Sequence, residues 1–263
     1  MGIILEAERL AIAFGGVRAL DQVSVAIPAG TVFSIIGPNG AGKTTLFNVF
    51  SGIYVPQDGH VRLAGEDVTG LKPDRLARRG LSRTFQNLLI FLRMTVLENV
   101  MVGRHRHETT GVLADLLHLP SVARQNRRTH EAARAALRRV GLEPHADLAA
   151  GALPYGALKR LEIARTLATE PKVLLLDEPA AGCNPTETQE LEGVIRSIVK
   201  EGTTVVLVEH DMRLVMNVSD RIHVLANGAT LAEGTAAEIR ANPAVVEAYL
   251  GIPGAQEGAH VDS

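Results

Sequence analysis

Residues Gly37-Pro38-Asn39-Gly40-Ala41-Gly42-Lys43-Thr44 follow the spacing G-x-x-x-x-G-K-S/T. Glycines at these positions let a backbone wrap closely round phosphate oxygens, with successive N–H groups pointing inward as donors. Lys43 brings positive charge to the β- and γ-phosphates, and the Thr44 hydroxyl is a ligand type that suits Mg²⁺. Thr45 continues into the start of a helix, whose positive dipole end favours the same phosphates. Further on, Val173-Leu-Leu-Leu-Asp177-Glu178 sets two carboxylates at the end of an apolar run. Asp177 there can hold Mg²⁺ directly or through water, and Glu178 can orient an attacking water and accept its proton. Another apolar run ends in Val208-Glu209-His210, where His210 can donate to a γ-phosphate and sense its presence. Gln86, in Arg83-Thr-Phe-Gln-Asn87, can touch Mg²⁺ or the water. Taken singly, a histidine after a strand is more often structural, and a loop glutamine is more often a surface group.

These groups need strands and helices to bring them together. Val23, Val25 and Ile27 alternate with Ser24 and Ala26 ahead of a turn at Pro28-Ala29-Gly30, which predicts a short half-buried strand. Val32 to Ile36 is nearly all apolar, as in a strand buried on both faces. Leu46, Val49 and Phe50 begin a helical pattern, and His60 to Leu63 reads as another short strand. Thr129 to Val140 places Ala133, Leu137 and Val140 on one helical face, with Gly141 as the stop. Val173 to Leu176 and Val205 to Val208 are short buried strands, separated by a helix with Leu191, Val194, Ile195 and Ile198 on its core side. Repeated strand–helix units predict an α/β fold with a mainly parallel sheet. The tail from Gly251 to Ser263 has four Gly or Pro residues and is expected to be loose.

The 263 residues carry 27 Lys and Arg against 29 Asp and Glu, a net charge of −2 that argues against a wholly basic nucleic-acid binder. Hydrophobic residues at 46% supply a core and exclude whole-chain disorder. One cysteine, Cys183, permits neither an internal disulfide nor a cysteine-based zinc site. There is no apolar run of the ~20 residues needed to span a membrane, and Glu6 and Glu8 come too early for a signal peptide. A soluble, cytosolic protein is expected. Charge is uneven: from Lys72 to Arg165 the balance is 17 basic to 8 acidic residues, inside an acidic remainder. That split fits either an inserted subdomain facing a separate partner or a solvated helical face.

The phosphate loop (Walker A) at 37–44, Gln86, the Walker B run at 173–178 and His210 resemble, in order and spacing, the ATPase domains of ABC transporters, over about residues 4–251. Within that family the segments RTFQNLLIF, MTVLENV, LEIARTLAT, LLLDEPAAGCNPTET and VEHDMRLVM, and an insert at about 102–130, look most like the longer of two ATP-binding subunits of branched-chain amino-acid importers. The resemblance implies a P-loop NTPase (RecA-like) core at about 4–86 and 166–250, N-terminal antiparallel strands, a helical subdomain at about 87–165 and a tail at 252–263. It implies ATP and Mg²⁺ as cofactors, with Gly37 to Thr45 and Phe14 binding nucleotide and Phe14 stacking on adenine. Thr44, Gln86 and Asp177 serve the metal; Glu178 is the base, His210 the switch, and Gln86 a link to the helical subdomain. Implied partners are membrane permease subunits and a second ATP-binding subunit, with a heterodimer favoured over a homodimer. A periplasmic or extracellular solute-binding protein acts indirectly, nucleic acid is not a partner, and the location is the cytoplasmic face of the plasma membrane.

One departure stands out. The family signature L-S-G-G-Q appears here as Leu153-Pro154-Tyr155-Gly156-Ala157. Pro154 lacks both hydroxyl and N–H, Ala157 lacks the amide side chain, and Gly156 alone remains of the phosphate-facing trio. Loss of one preorganised donor costs about 10²–10³ in rate. The nucleotide site that this segment completes on a partner is therefore expected to be weak. Asn184, where the family often has Asp, is expected to face that partner.

Overall fold

The computed structural model describes residues 2–84, 89–105 and 120–250. Two sheets organise it. A four-stranded antiparallel sheet has the order β2-β1-β4-β5, from β1 (Ile3–Phe14), β2 (Val17–Pro28), β4 (Asp58–Leu63) and β5 (Glu66–Asp67). A six-stranded sheet has the order β10-β9-β3-β8-β7-β6, from β3 (Val32–Ile36), β6 (Leu81–Arg83), β7 (Val173–Asp177), β8 (Thr204–Val208), β9 (Arg221–Ala226) and β10 (Ala229–Gly234). Its pairs from β9 to β6 are parallel, and β10 joins antiparallel at one edge. The expected mainly parallel α/β core and the antiparallel N-terminal strands are both present.

Period-2 geometry explains the layers. In β2 the buried residues include Val23, Val25 and Ile27, as the alternation predicts. The N-terminal strands are not short, however: β1 and β2 each run 12 residues and pair along their length, with register shifts that include Arg9 and Gln22 at positive φ. In the buried strands, successive side chains go to opposite cores. Phe33, Ile35, Val173, Leu175, Val206 and Val208 join the antiparallel sheet and helix α1 (Lys43–Phe50). Val32, Leu174, Leu176, Val205 and Leu207 join the helices on the other face.

Those helices are α3 (Val96–Val102), α4 (Pro120–Arg139), α5 (Tyr155–Leu167) and α6 (Pro185–Lys200). Their apolar residues form one continuous cluster with the sheet. Helix α4 begins nine residues before the expected Thr129, yet Ala133, Leu137 and Val140 are buried as expected, and Gly141 follows at φ 71°. Helix α6 buries Leu191, Val194, Ile195 and Ile198 and starts at a capping box in which Asn184 accepts from Thr186 and Glu187 N–H. The remaining helices are α2 (Pro73–Arg79), α7 (Met212–Val218), α8 (Ala236–Ala241) and α9 (Pro243–Leu250). The tail from Gly251 lies outside the described residues.

The structure also accounts for part of the charge split. Arginines of the basic stretch bond acids of the surrounding frame: Arg104 with Glu170 at 2.5 Å, Arg139 with Glu201 at 2.5 Å and Arg160 with Glu190 at 3.0 Å. Part of the contrast thus closes inside one chain.

Leu137 is fully buried where α4 meets the common core. Leu137→Ala is expected to lower the unfolding free energy by about 2–5 kcal/mol, read as a reduced urea midpoint at unchanged slope.

Candidate active site

The parallel register lines up the site before any side chain is considered. Asp177 pairs with Val208, and Val208 pairs with Ile35. The chain leaving each strand therefore carries Glu178, Glu209-His210 and the loop from Gly37 at about the same level. Crevices at the carboxyl ends of parallel strands are where α/β sheets bind ligands.

The loop at 37–42 joins β3 to α1, and two of its glycines, Gly37 and Gly42, are sterically required. Gly37 has φ 153°, and a Cβ there would sit 2.1 Å from the Leu225 carbonyl oxygen. Gly42, the residue before α1, has φ 100°, with the Ala19 carbonyl 2.4 Å from the place of a Cβ. Pro38 is half-buried, Asn39 and Gly40 are exposed, and Ala41 is buried. Lys43 is itself buried, and its Nζ donates to the carbonyls of Gly37 at 2.7 Å and Pro38 at 2.9 Å. Burial lowers the Lys43 pKa, and the negative charge of Glu178 opposes that shift. Thr44, the second residue of α1, is exposed, and Thr45 is half-buried beside it.

Asp177 closes β7 with 5% of its side chain exposed, and its Oδ2 lies 2.6 Å from Arg83 Nη2. Glu178 follows at φ 47°, a left-handed conformation rare for a non-glycine residue, held by its N–H on the Val208 carbonyl at 2.9 Å. Its Oε1 stands 2.9 Å from His210 Nε2. The two residues singled out separately in the sequence are one pair in space. Phe14 ends β1 half-exposed, its ring centroid 5.1 Å from that of Tyr54. Gln86 lies outside the described residues.

Glu209 is a residue that the sequence reading passed over. It is buried, and its carboxylate accepts from Ala180 N–H at 2.7 Å, His210 N–H at 2.8 Å and Asp211 N–H at 3.3 Å. It ties the loop after Glu178 to the loop bearing His210. Burial raises its pKa, against the pull of those three N–H groups. An acid between an apolar strand and a histidine was the available signal.

Metal fit is a matter of donor type. The Thr44 hydroxyl and the Asp177 carboxylate are hard oxygens, and among the described residues there is no group of three or more His, Cys, Asp or Glu that forms a metal cage. One carboxylate, one hydroxyl and phosphate oxygens make a set that Mg²⁺ uses.

Comparison with known proteins agrees with this geometry. A profile described as ABC transporter matches residues 20–181, and one described as Branched-chain amino acid ATP-binding cassette transporter matches residues 229–253. The chain belongs to the ABC-transporter family. It is 48% identical to the high-affinity branched-chain amino acid transport ATP-binding protein BraF of Pseudomonas aeruginosa, covering 94% of this chain and 98% of that protein. The corresponding LivG protein of Escherichia coli K12 is 45% identical at the same coverages. Among solved structures, a nucleotide-free ATP-binding cassette from an ABC transporter superposes with TM-score 0.81 at 33% identity, over 95% of this chain and 100% of that one. A cassette in its ADP conformation gives 0.82 at 32%, over 96% and 100%.

The ABC signature segment differs from expectation in one respect. Gly156, the residue of this segment expected to face phosphate, donates its N–H to Glu187 Oε1 of the same chain at 3.0 Å, while Glu187 Oε2 accepts from Asn184 N–H at 2.9 Å. Pro154 stands as the residue before α5 without a side-chain cap, so Glu187 supplies the anion that this helix end attracts. Asn184, expected to face a partner, has its side chain engaged in capping α6.

Glu209→Ala would strand three N–H groups and is expected to cost about 1–3 kcal/mol of stability. His210→Ala, in a pair whose histidine is half exposed, should change stability by no more than about 1 kcal/mol. Paired urea titrations check both.

Proposed function

We propose that this chain is the ATP-hydrolysing subunit that energises an importer of branched-chain or related amino acids. The observation that carries this reading is the 2.9 Å Glu178–His210 pair at the mouth of an intact phosphate loop. Family membership and the identity to BraF and LivG support the transport role and the solute class.

In the proposed mechanism, adenine stacks on the exposed Phe14 ring, and the backbone from Gly37 to Thr45 surrounds the phosphates. Lys43 exchanges the carbonyls of Gly37 and Pro38 for phosphate oxygens, a like-for-like replacement of its acceptors. Thr44 and Asp177, with Gln86, would hold Mg²⁺, which when bound neutralises charge on the phosphates. Glu178 orients water and takes its proton as the water oxygen attacks the γ-phosphorus. The bond to the bridging oxygen breaks, giving ADP and phosphate. His210 Nε2, already on Glu178 Oε1, is placed to register whether a γ-phosphate is present.

The coupling surface is the region following Gln86. A groove of about 740 Å³ lies there, between strand β6 and helices α2, α3 and α5, lined by Ile53, Ile90, Leu89, Phe91, Val102 and Arg165. Ile53, Leu89 and Phe91 are each half exposed, an apolar patch of the kind that marks a protein interface. A permease segment is the partner proposed for it. Among the described residues no helix is long and apolar enough to cross a membrane, which agrees with a peripheral subunit held by its permease at the cytoplasmic face. A second ATP-binding subunit completes the nucleotide sites, and a heterodimer is favoured because Glu187 occupies the remaining signature donor of this chain. A solute-binding protein delivers the amino acid to the permease.

A nucleotide-gated module with little turnover is the rival reading, and the engaged signature favours it for the chain in isolation. The chain alone is therefore expected to bind ATP and hydrolyse it poorly. In the assembled transporter, Glu178→Gln is expected to keep ATP binding and cut phosphate release about 10²–10⁴-fold, together with solute uptake. Equal release by wild type and Glu178→Gln would support the rival.

A further inference from the structure

Arg83 opens the segment that carries Gln86 and has no chemical role in the proposed mechanism, yet its side chain bonds three polar groups beside the site. It ends β6, the edge strand, in register with Leu175 of β7, so its side chain reaches the same strand ends as Asp177. The side chain is 12% exposed and the Asp177 carboxylate 5%. Nη2 bonds Asp177 Oδ2 at 2.6 Å, and Nη1 bonds Asn48 Oδ1 at 2.7 Å and Ser51 Oγ at 2.8 Å, both on the turn that ends α1. Ser51 directs its own hydroxyl hydrogen to the Phe47 carbonyl at 2.8 Å, leaving its lone pairs for Arg83. The guanidinium carbon also lies 5.5 Å from the centre of the Phe47 ring. Four groups on two other elements thus fix one planar fork.

We infer that Arg83 is the positioning residue for the metal-binding carboxylate: it holds Asp177 through Oδ2 and leaves Oδ1 for a divalent cation beside the phosphates. This rests on the assignment of Asp177 to Mg²⁺ made above. A carboxylate this buried needs a compensating charge. A compact ammonium, with no fork, cannot reach Asp177 and the Asn48–Ser51 pair together. The pull of Arg83 on one oxygen also fixes the carboxylate plane, which a lone aspartate leaves to rotate. The opposite role, a cation that competes with the metal for Asp177, predicts the opposite sign on substitution.

The test is binding of a fluorescent ATP analogue to the full chain, titrated with MgCl₂ and repeated in EDTA. For Arg83→Lys, half-saturating Mg²⁺ should rise at least 5-fold while binding in EDTA stays within 2-fold of wild type. Should that variant fail to fold, Asn48→Ala, which removes one anchor and keeps the ion pair, should show a smaller rise of about 2-fold. Unchanged or lower half-saturating Mg²⁺ in the folded variants overturns the inference. Wild type that binds the analogue with no dependence on Mg²⁺ overturns the metal assignment instead, and wild type that binds no analogue overturns the proposed function.

Discussion

The site depends on the in-register parallel pairing of three strands. Because Asp177, Val208 and Ile35 stand side by side in β7, β8 and β3, the next residues of each strand emerge together. A shift of one residue in β7 would turn Asp177 to the other face of the sheet and separate it from Arg83. The register is secured by burial on both faces, since every residue of these three strands is buried and their apolar side chains alternate between two cores, with Ile36 joining a third cluster. The hydrophobic pattern and the chemistry are therefore one specification.

Buried polar groups then set the fine geometry. Two residues given no chemical step in the proposed mechanism, Glu209 and Arg83, hold the segments that carry Glu178, His210 and Asp177. Glu209 gathers three N–H groups from the two loops that bear Glu178 and His210. Arg83 fixes Asp177 against α1. Buried polar networks of this kind rigidify a site, because releasing any one bond leaves a costly unpaired group. Glu178 at φ 47° is the strained member, its conformation held from both sides by the Val208 carbonyl and His210. Close to these contacts in sequence, the helix that starts in the signature run is latched to Glu187 of its own chain. In the proposed heterodimer, that contact would give the two nucleotide sites a physical reason to differ.

The sequence made the short-range features legible and left the long-range ones hidden. Loop spacing, the strand before it and the core face of α6 could be read because each is a pattern within about 15 residues. The apolar spacing of Leu191, Val194, Ile195 and Ile198 matches their burial one for one. The extent of β1 and β2 was not legible, since pairing across the sheet rather than local alternation carries those strands to 12 residues. Arg83 read as one of many charges in a basic stretch; that its partner is 94 positions away is a property of the fold. Asn184 is exposed while its side-chain oxygen also caps α6, with Pro185 and Glu187 following, a local role that likeness to the family did not reveal.

In the proposed function, the Gly37–Thr45 backbone and Lys43 grip a nucleoside triphosphate. Calorimetric titration of the chain with ATP in magnesium buffer, alongside Lys43→Ala, tests it most directly. Saturable heat at one site per chain, weakened at least tenfold in the variant, is the expected result. No heat with the folded wild type, or equal heat in both proteins, would contradict it.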